Sequence, residues 1–250
     1  MATHTPPAAP VRGLLFDKDG TLFDFHETWS RWARGFITDV TGGDPGRARA
    51  LADALGYDID ASRFERTSPM IAGTMEVVVG AVRAVLPDFS ETALRGLIRE
   101  STAAAPQAEA VPLIPLFERF GDAGLVLGVA TNDAAVPARA HLTRAGIIEN
   151  FAFVAGYDSG HGSKPGPGMC LAFCRETGLA PAACVMVGDS THDLVSGRAA
   201  GMRTVAVLTG LATRDELAPL ADAVLESIGE LPVWLALRGE AGGAERPALT

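Results

Sequence analysis

The sequence predicts an α/β fold: a doubly wound parallel sheet with a helical cap domain inserted after the first strand. Three observations lead there. From Leu113 to Leu225, short apolar runs alternate with helical segments, the rhythm of a parallel sheet covered on both faces. Four apolar runs lead into loops bearing reactive polar residues: Asp17 and Asp19, Thr131, Lys164, and Asp189. Between Phe25 and Gln107 only helical periodicity is found, so that block interrupts the sheet instead of adding to it.

The elements follow in order. Val11 to Phe16 reads as a buried parallel strand, and Leu22 to Phe25 as a reversal. Trp29, Trp32, Phe36, Ile37 and Val40 fall at helical spacing, until Thr41 to Gly46 breaks the pattern. Helical patterns resume at Ala48–Leu55, Met75–Leu86 and Glu91–Glu100, the last preceded by Ser90 as N-cap. Ala103 to Pro106 is the return linker, and Leu113 to Phe120 a short amphipathic helix. Strands are then expected at Leu125–Ala130, Phe151–Ala155, Cys184–Val187, Thr204–Leu208 and Ala223–Leu225. Helices are expected through Leu142, at Gly168–Thr177 and at His192–Ala200. The expected division is a core of residues 11–24 and 108–235, a helical cap of residues 25–107, and flexible tails at residues 1–10 and 239–250.

Composition narrows the function. Hydrophobic residues make up 48% of the 250, enough for a sizeable core. The net charge of −9 and the absence of a dense Lys/Arg cluster argue against nucleic-acid binding. An anionic substrate must then be drawn in by local positive features and a metal, not by the overall field. Residues 1–10 lack the basic start and apolar stretch of a secretory signal, and no apolar run reaches membrane-spanning length. A cytoplasmic location is expected, with Cys170, Cys174 and Cys184 as buried, reduced thiols and not metal ligands. No feature bears on oligomeric state.

Asp17 and Asp19 stand where the first strand ends, and residues two apart on a strand share a side. Both carboxylates can then face the crevice beyond the C-terminal edge, where open α/β sheets bind ligands. Carboxylates this close repel unless something positive joins them, and a divalent cation with oxygen ligands answers that need. Gly20 gives the chain a permissive exit. Alone, Asp-Lys-Asp-Gly-Thr is also an ordinary turn sequence.

Four motifs together say more. Asp17-Lys18-Asp19-Gly20-Thr21, Thr131 after an apolar strand, Lys164-Pro165, and Gly188-Asp189-Ser190-Thr191-His192-Asp193 resemble, in order and separation, the motifs of the haloacid dehalogenase-like hydrolases. The resemblance covers Val11 to Leu225, is nearest to the phosphoglycolate phosphatase-like branch, and makes the helical insertion a small cap. It implies an enzyme that hydrolyses a small phosphorylated metabolite through an aspartyl phosphate.

The residue types suit that chemistry. Asp17 is the expected nucleophile. Asp19 is the acid for the leaving alcohol and then the base for water. Thr131, with the amides of Asn132 and Asp133, would bind phosphoryl oxygens, and Lys164 would supply a point charge. Asp17, Asp189 and the Asp19 carbonyl would hold Mg2+, relieving repulsion between nucleophile and substrate. Asp193 would hold metal-bound water or orient Lys164. Each has a plainer reading: Thr131 and Asn132 as helix caps, Lys164 as a solvated loop lysine, Asp193 as a partner of a helix N-terminus. His192 is read as an exposed neighbour, and Trp29 and Trp32 as packing. Lys18 is expected to point away from both aspartates, with no catalytic role.

Relatives that dehalogenate 2-haloacids lack an acid at the position of Asp19, because halide needs no proton. Its presence favours a phosphate ester. Substrate choice is expected from the cap, with Arg66 as a substrate contact and Arg63 and Ser68 beside it. Phosphoglycolate is the first candidate through the resemblance, a sugar phosphate the second. The competing readings are a hexose-phosphate mutase of the same fold and a non-catalytic phospho-ligand binding module.

Overall fold

In the computed structural model, which describes residues 10–65, 67–72 and 75–236, the chain opens with β1 (Gly13–Phe16). There follow α1 (Phe25–Thr41), α2 (Pro45–Ala54), β2 (Tyr57–Asp58), β3 (Arg63–Phe64), α3 (Pro69–Ala72), α4 (Met75–Val85) and α5 (Glu91–Ala104). Next come α6 (Leu113–Asp122), β4 (Val126–Ala130), α7 (Ala135–Arg144), β5 (Phe151–Ala155) and α8 (Gly168–Thr177). The chain continues through β6 (Cys184–Gly188), α9 (Thr191–Ala199), β7 (Arg203–Val207), α10 (Arg214–Leu217), β8 (Ala223–Leu225) and α11 (Leu231–Trp234). Nearly all of the expected tails lies outside the described residues. None of the described helices is long and apolar enough to cross a membrane.

The six strands predicted for the core form one sheet in the order β5-β4-β1-β6-β7-β8, with every neighbouring pair parallel. The chain leaves β1 for β4 and β5 on one side, then returns to β6, β7 and β8 on the other. β1 is therefore the switch point, where a crevice opens at the strand ends. Alternate residues face opposite sides. Leu14, Phe16, Val185 and Val187 join a cluster with Phe117 and Phe120 of α6, while Leu15 and Met186 pack with Met169 and Phe173 of α8. Both faces are buried, which is why these strands read as apolar runs. Gly128 belongs to this packing, because a Cβ there would stand 2.7 Å from the Phe173 ring.

The helices between β1 and α6 have a hydrophobic cluster of their own, from Trp32 to Ala105. Asp24 caps α1 by accepting from the Glu27 amide, so the helix begins at Phe25, inside the expected reversal. Ser90 caps α5 as predicted, though the helix runs on to Ala104 and shortens the return linker. The block is not wholly helical, as it was expected to be. β2 and β3 pair antiparallel, the Tyr57 and Phe64 rings meet tilted at 55° with centroids 4.9 Å apart, and the Asp58 carboxylate accepts from the Asp60 and Ala61 amides. Two-residue strands are too short to show alternation in sequence.

The block's two connections to the sheet run side by side. Phe23 bridges Glu109 antiparallel, the Asp24 amide donates to the Ala108 carbonyl, and the Ala110 amide donates to the Leu22 carbonyl.

Candidate active site

Asp17, Thr131 and Asp189 stand one residue beyond β1, β4 and β6, the three adjacent central strands. The Asp17 amide continues the sheet ladder by donating to the Val187 carbonyl at 2.8 Å, and the Thr131 amide donates to the Ala155 carbonyl at 3.0 Å. These positions are thus fixed by backbone. Space for the carboxylates comes from glycine. Gly20 adopts φ +79°, and a Cβ there or at Gly210 would collide with the Asp189 carboxylate. A Cβ at Gly188 would collide with Asp193.

Asp17, Asp189 and Asp193 are all buried and bring carboxylate oxygens within 4.8 Å of one another. Lys164 enters from the loop after β5, with its Nζ 2.6 Å from Asp17 Oδ1 and 2.6 Å from Asp193 Oδ1. The other Asp193 oxygen accepts from the Ser190 amide and hydroxyl, so Asp193 serves both the start of α9 and Lys164. Asn132 places Lys164: its Oδ1 accepts from the Lys164 amide and its Nδ2 donates to the Lys164 carbonyl. The Lys164–Pro165 bond is cis.

One ammonium does not balance three buried carboxylates. The Asp17 carboxyl is pushed up to about 6 by burial, against the pull of Lys164, with Asp193 and Asp19 adding to the rise. Asp189 is held well above the usual carboxylate range by burial and then by Asp17 and Asp193. For Lys164, burial works against the charge, but Asp17 and Asp193 outweigh it and raise the pKa.

The structure corrects the reading of Lys18. Its side chain is fully buried and turns toward Asp19, with Nζ 2.6 Å from both carboxylate oxygens. It also lies 3.4 Å from Asp133 Oδ2 and 3.3 Å from His141 Nδ1 on α7. Strand alternation ends at Phe16. The Lys18 carbonyl accepts from the Leu22 and Phe23 amides, so the segment is a turn, not an extended strand. Burial, and then the Lys18 charge, hold His141 below the usual histidine pKa.

A cavity of about 850 Å3 lies over this floor. Asp17, Asp19, Thr131, Asn132, Asp133, Lys164, Asp189 and Asp193 line it, so the predicted core site residues meet in one place. The exposed His192 lines it too. From the helical block come Phe25, Trp29, Met70, Arg99 and Thr102. Trp29 therefore faces the cavity as well as packing against the block's core. Arg66 lies outside the described residues. Arg63 lines a separate cleft of about 400 Å3 beside α1 that contains none of the strand-end residues. Ser68 is buried and donates to the Leu55 carbonyl, a structural role and not a substrate contact. Thr131 does not cap α7. Its hydroxyl oxygen accepts from the Asp133 amide, and the Ala135 amide donates to Asp158 instead. The three cysteines are buried and free, burial pushing Cys170 up to about 11 and Cys184 up to about 12.

A parallel sheet with buried carboxylates and a lysine gathered at its central strand ends is the arrangement of an α/β enzyme, and its three clustered carboxylates could hold a metal ion. The haloacid dehalogenase-like hydrolase family matches residues 11–201, and the chain belongs to that family. It is 31% identical over 210 residues to a probable phosphatase, IndB, of Dickeya dadantii, covering 82% of this chain and 84% of the relative. It is 28% identical to a phosphoglycolate phosphatase of Xanthomonas campestris, covering 88% and 94%. The fold resembles the crystal structure of a predicted phosphoglycolate phosphatase from Haemophilus somnus, with a TM-score of 0.65 at 18% identity, covering 90% of this chain and 97% of that one.

Proposed function

We propose that this chain is a Mg2+-dependent phosphatase that hydrolyses a small phosphorylated metabolite through a phosphorylated Asp17. The observation that carries the reading is Asp17 itself: a buried carboxylate beyond the central strand, in contact with Lys164, at the floor of a metabolite-sized cavity. The family and its phosphatase relatives support it.

In this reading an Asp17 oxygen bonds to phosphorus as the bond to the substrate alcohol breaks. The leaving oxygen keeps the electron pair and takes a proton from Asp19. A water oxygen then bonds to phosphorus as Asp19 accepts its proton, and the Asp17–phosphorus bond breaks, returning the carboxylate and releasing inorganic phosphate. The Thr131 oxygen accepts from the Asp133 amide, which leaves its own hydrogen free for a phosphoryl oxygen. Lys164 has a third N–H beyond its contacts with Asp17 and Asp193.

The carboxylates fit a hard divalent cation: their donors are oxygens, they are buried, and their charge exceeds that of Lys164. Asp17, Asp189 and the Asp19 carbonyl would hold Mg2+, with Asp193 completing the set while holding Lys164. When bound, the ion neutralises charge between the anionic nucleophile and the phosphoryl group.

The floor contacts what all phosphomonoesters share, so residues 25–107 act as a cap that selects the rest of the substrate. Arg99 makes no ion pair with other described residues and faces the cavity, which suits a substrate with a second anionic group. Phosphoglycolate, with its carboxylate, is the first candidate, and the Xanthomonas relative's name agrees. A cytoplasmic location suits such a substrate.

A phosphate-release screen over small phosphorylated metabolites, with Mg2+ or with EDTA, tests the reading. Release confined to the Mg2+ samples is expected, with carboxylate-bearing substrates preferred. Isomerised substrate without free phosphate would make the chain a mutase, and no turnover of any substrate would favour a binding module.

A further inference from the structure

We infer that Lys18 is a positioning residue that fixes the Asp19 carboxylate for proton exchange with the leaving group, braced in turn by Asp133 and His141. The inference rests on the reading of Asp19 as acid and base.

Lys18 is fully buried, and a buried ammonium persists only where partners replace water. Its ammonium hydrogen-bonds the Asp19 carboxylate at 2.6 Å and His141 Nδ1 at 3.3 Å, and Asp133 Oδ2 stands beside it as an ion-pair partner at 3.4 Å. An ammonium only donates, so His141 Nδ1 accepts, and the ring proton of neutral His141 sits on Nε2. With its hydrogens so directed and no exposed surface, Lys18 is not placed to bind the phosphoryl group. Lys164 occupies that side.

The effect falls on Asp19. Its side chain is 26% exposed, and its carboxylate oxygens have one side-chain partner among the described residues, Lys18. A partly exposed aspartate without that partner would share its time among several rotamers. Asp133 comes from the loop after β4 and His141 from α7, so two further elements of the fold hold the lysine that holds the aspartate. Lys18 gains and loses no proton in the scheme. Asp19 gives its proton to the leaving oxygen as the P–O bond breaks, and the electron pair stays on that oxygen.

Leaving groups separate this role from a merely structural one. Values of kcat/KM report steps up to departure of the alcohol, and a stable phenolate leaves without a proton. The measurement is kcat/KM for p-nitrophenyl phosphate, phenyl phosphate and an alkyl phosphate with wild type, Lys18→Met and Asp19→Asn. General acid catalysis is worth about 10²–10⁴-fold. Asp19→Asn should lose most of that on the alkyl ester and little on the p-nitrophenyl ester. Lys18→Met should show the same slope with leaving group, at roughly tenfold or more on the alkyl ester. A Lys18→Met loss equal on all three esters, with Asp19→Asn selective, overturns the inference and leaves the role of Asp19 intact. An equal loss with Asp19→Asn overturns that role and the inference with it. If Lys18→Met does not fold, His141→Gln carries the test: a smaller loss with the same slope supports the inference, and an equal loss overturns it.

Discussion

Asp17, Thr131 and Asp189 each sit one residue beyond a strand bonded into the sheet, whereas Phe25, Trp29, Met70, Arg99 and Thr102 reach the same cavity from the helical block. The first set is held by backbone. Its side chains are short and buried, Asp17 contacts Lys164, and glycines at 20 and 210 leave Asp189 room. The second set is held by side chains projecting from a block with its own hydrophobic core, and the Arg99 side chain is exposed. A floor of this kind tolerates little displacement. A roof of this kind can change its residues without disturbing the sheet.

The largest effect expected from this contrast is at the floor. Asp17→Asn should lower phosphate release by about 10³-fold or more while leaving circular dichroism unchanged, since only the carboxylate oxygen is replaced. Appreciable turnover by a pure sample would remove Asp17 as nucleophile.

The next concerns stability without metal. The Asp17 pKa is raised in the fold, from 3.8 to about 6, so its stabilising contribution is fully present below pH 3.8 and is lost as pH rises through about 6. The shift corresponds to about 3 kcal/mol. In EDTA, wild type should lose roughly that much unfolding free energy relative to Asp17→Asn between pH ~4 and pH ~7. Mg2+ should restore it at neutral pH. A pH-independent difference in urea titrations would mean the carboxylate charge is already balanced.

At the roof, Arg99→Ala should lower kcat/KM about 10- to 100-fold for a substrate with a second anionic group, the scale of a lost charge-assisted hydrogen bond. p-Nitrophenyl phosphate should be nearly unaffected. An equal loss on both would assign Arg99 to folding or to the floor. The smallest effect belongs to Arg63, which faces the separate cleft: Arg63→Ala should leave substrate ranking unchanged. A reordered ranking would join that cleft to the site.

The same contrast explains what was legible. Strand ends are readable because an apolar run stopping at Asp, Thr or Gly-Asp marks both a buried strand and the residue beyond it, as at the ends of β1, β4 and β6; the other three core strands are legible from their apolar runs alone. Lys18 was misread because alternation was carried past Phe16 into a turn. The Asn132 side chain also spans the Lys164 backbone, a pairing 32 residues apart that no local pattern signals. Arg99 was not singled out because it looks like Arg95, one helical turn earlier, whose guanidinium pairs with Glu76 and Glu91. Which exposed arginine faces the cavity depends on helix packing, and sequence periodicity does not report it.

The paired linkers at Phe23–Asp24 and Ala108–Glu109 have a consequence for how such a chain can change. Where the polypeptide departs from the sheet and where it comes back are hydrogen-bonded neighbours. The separation of those two points does not depend on how many residues lie between them. An insert of another length, or a short turn in its place, can therefore be grafted by matching two adjacent backbone ends. If residues 25–107 select the substrate as proposed, modular exchange at this junction would alter what the enzyme accepts without rewriting the machinery beneath it.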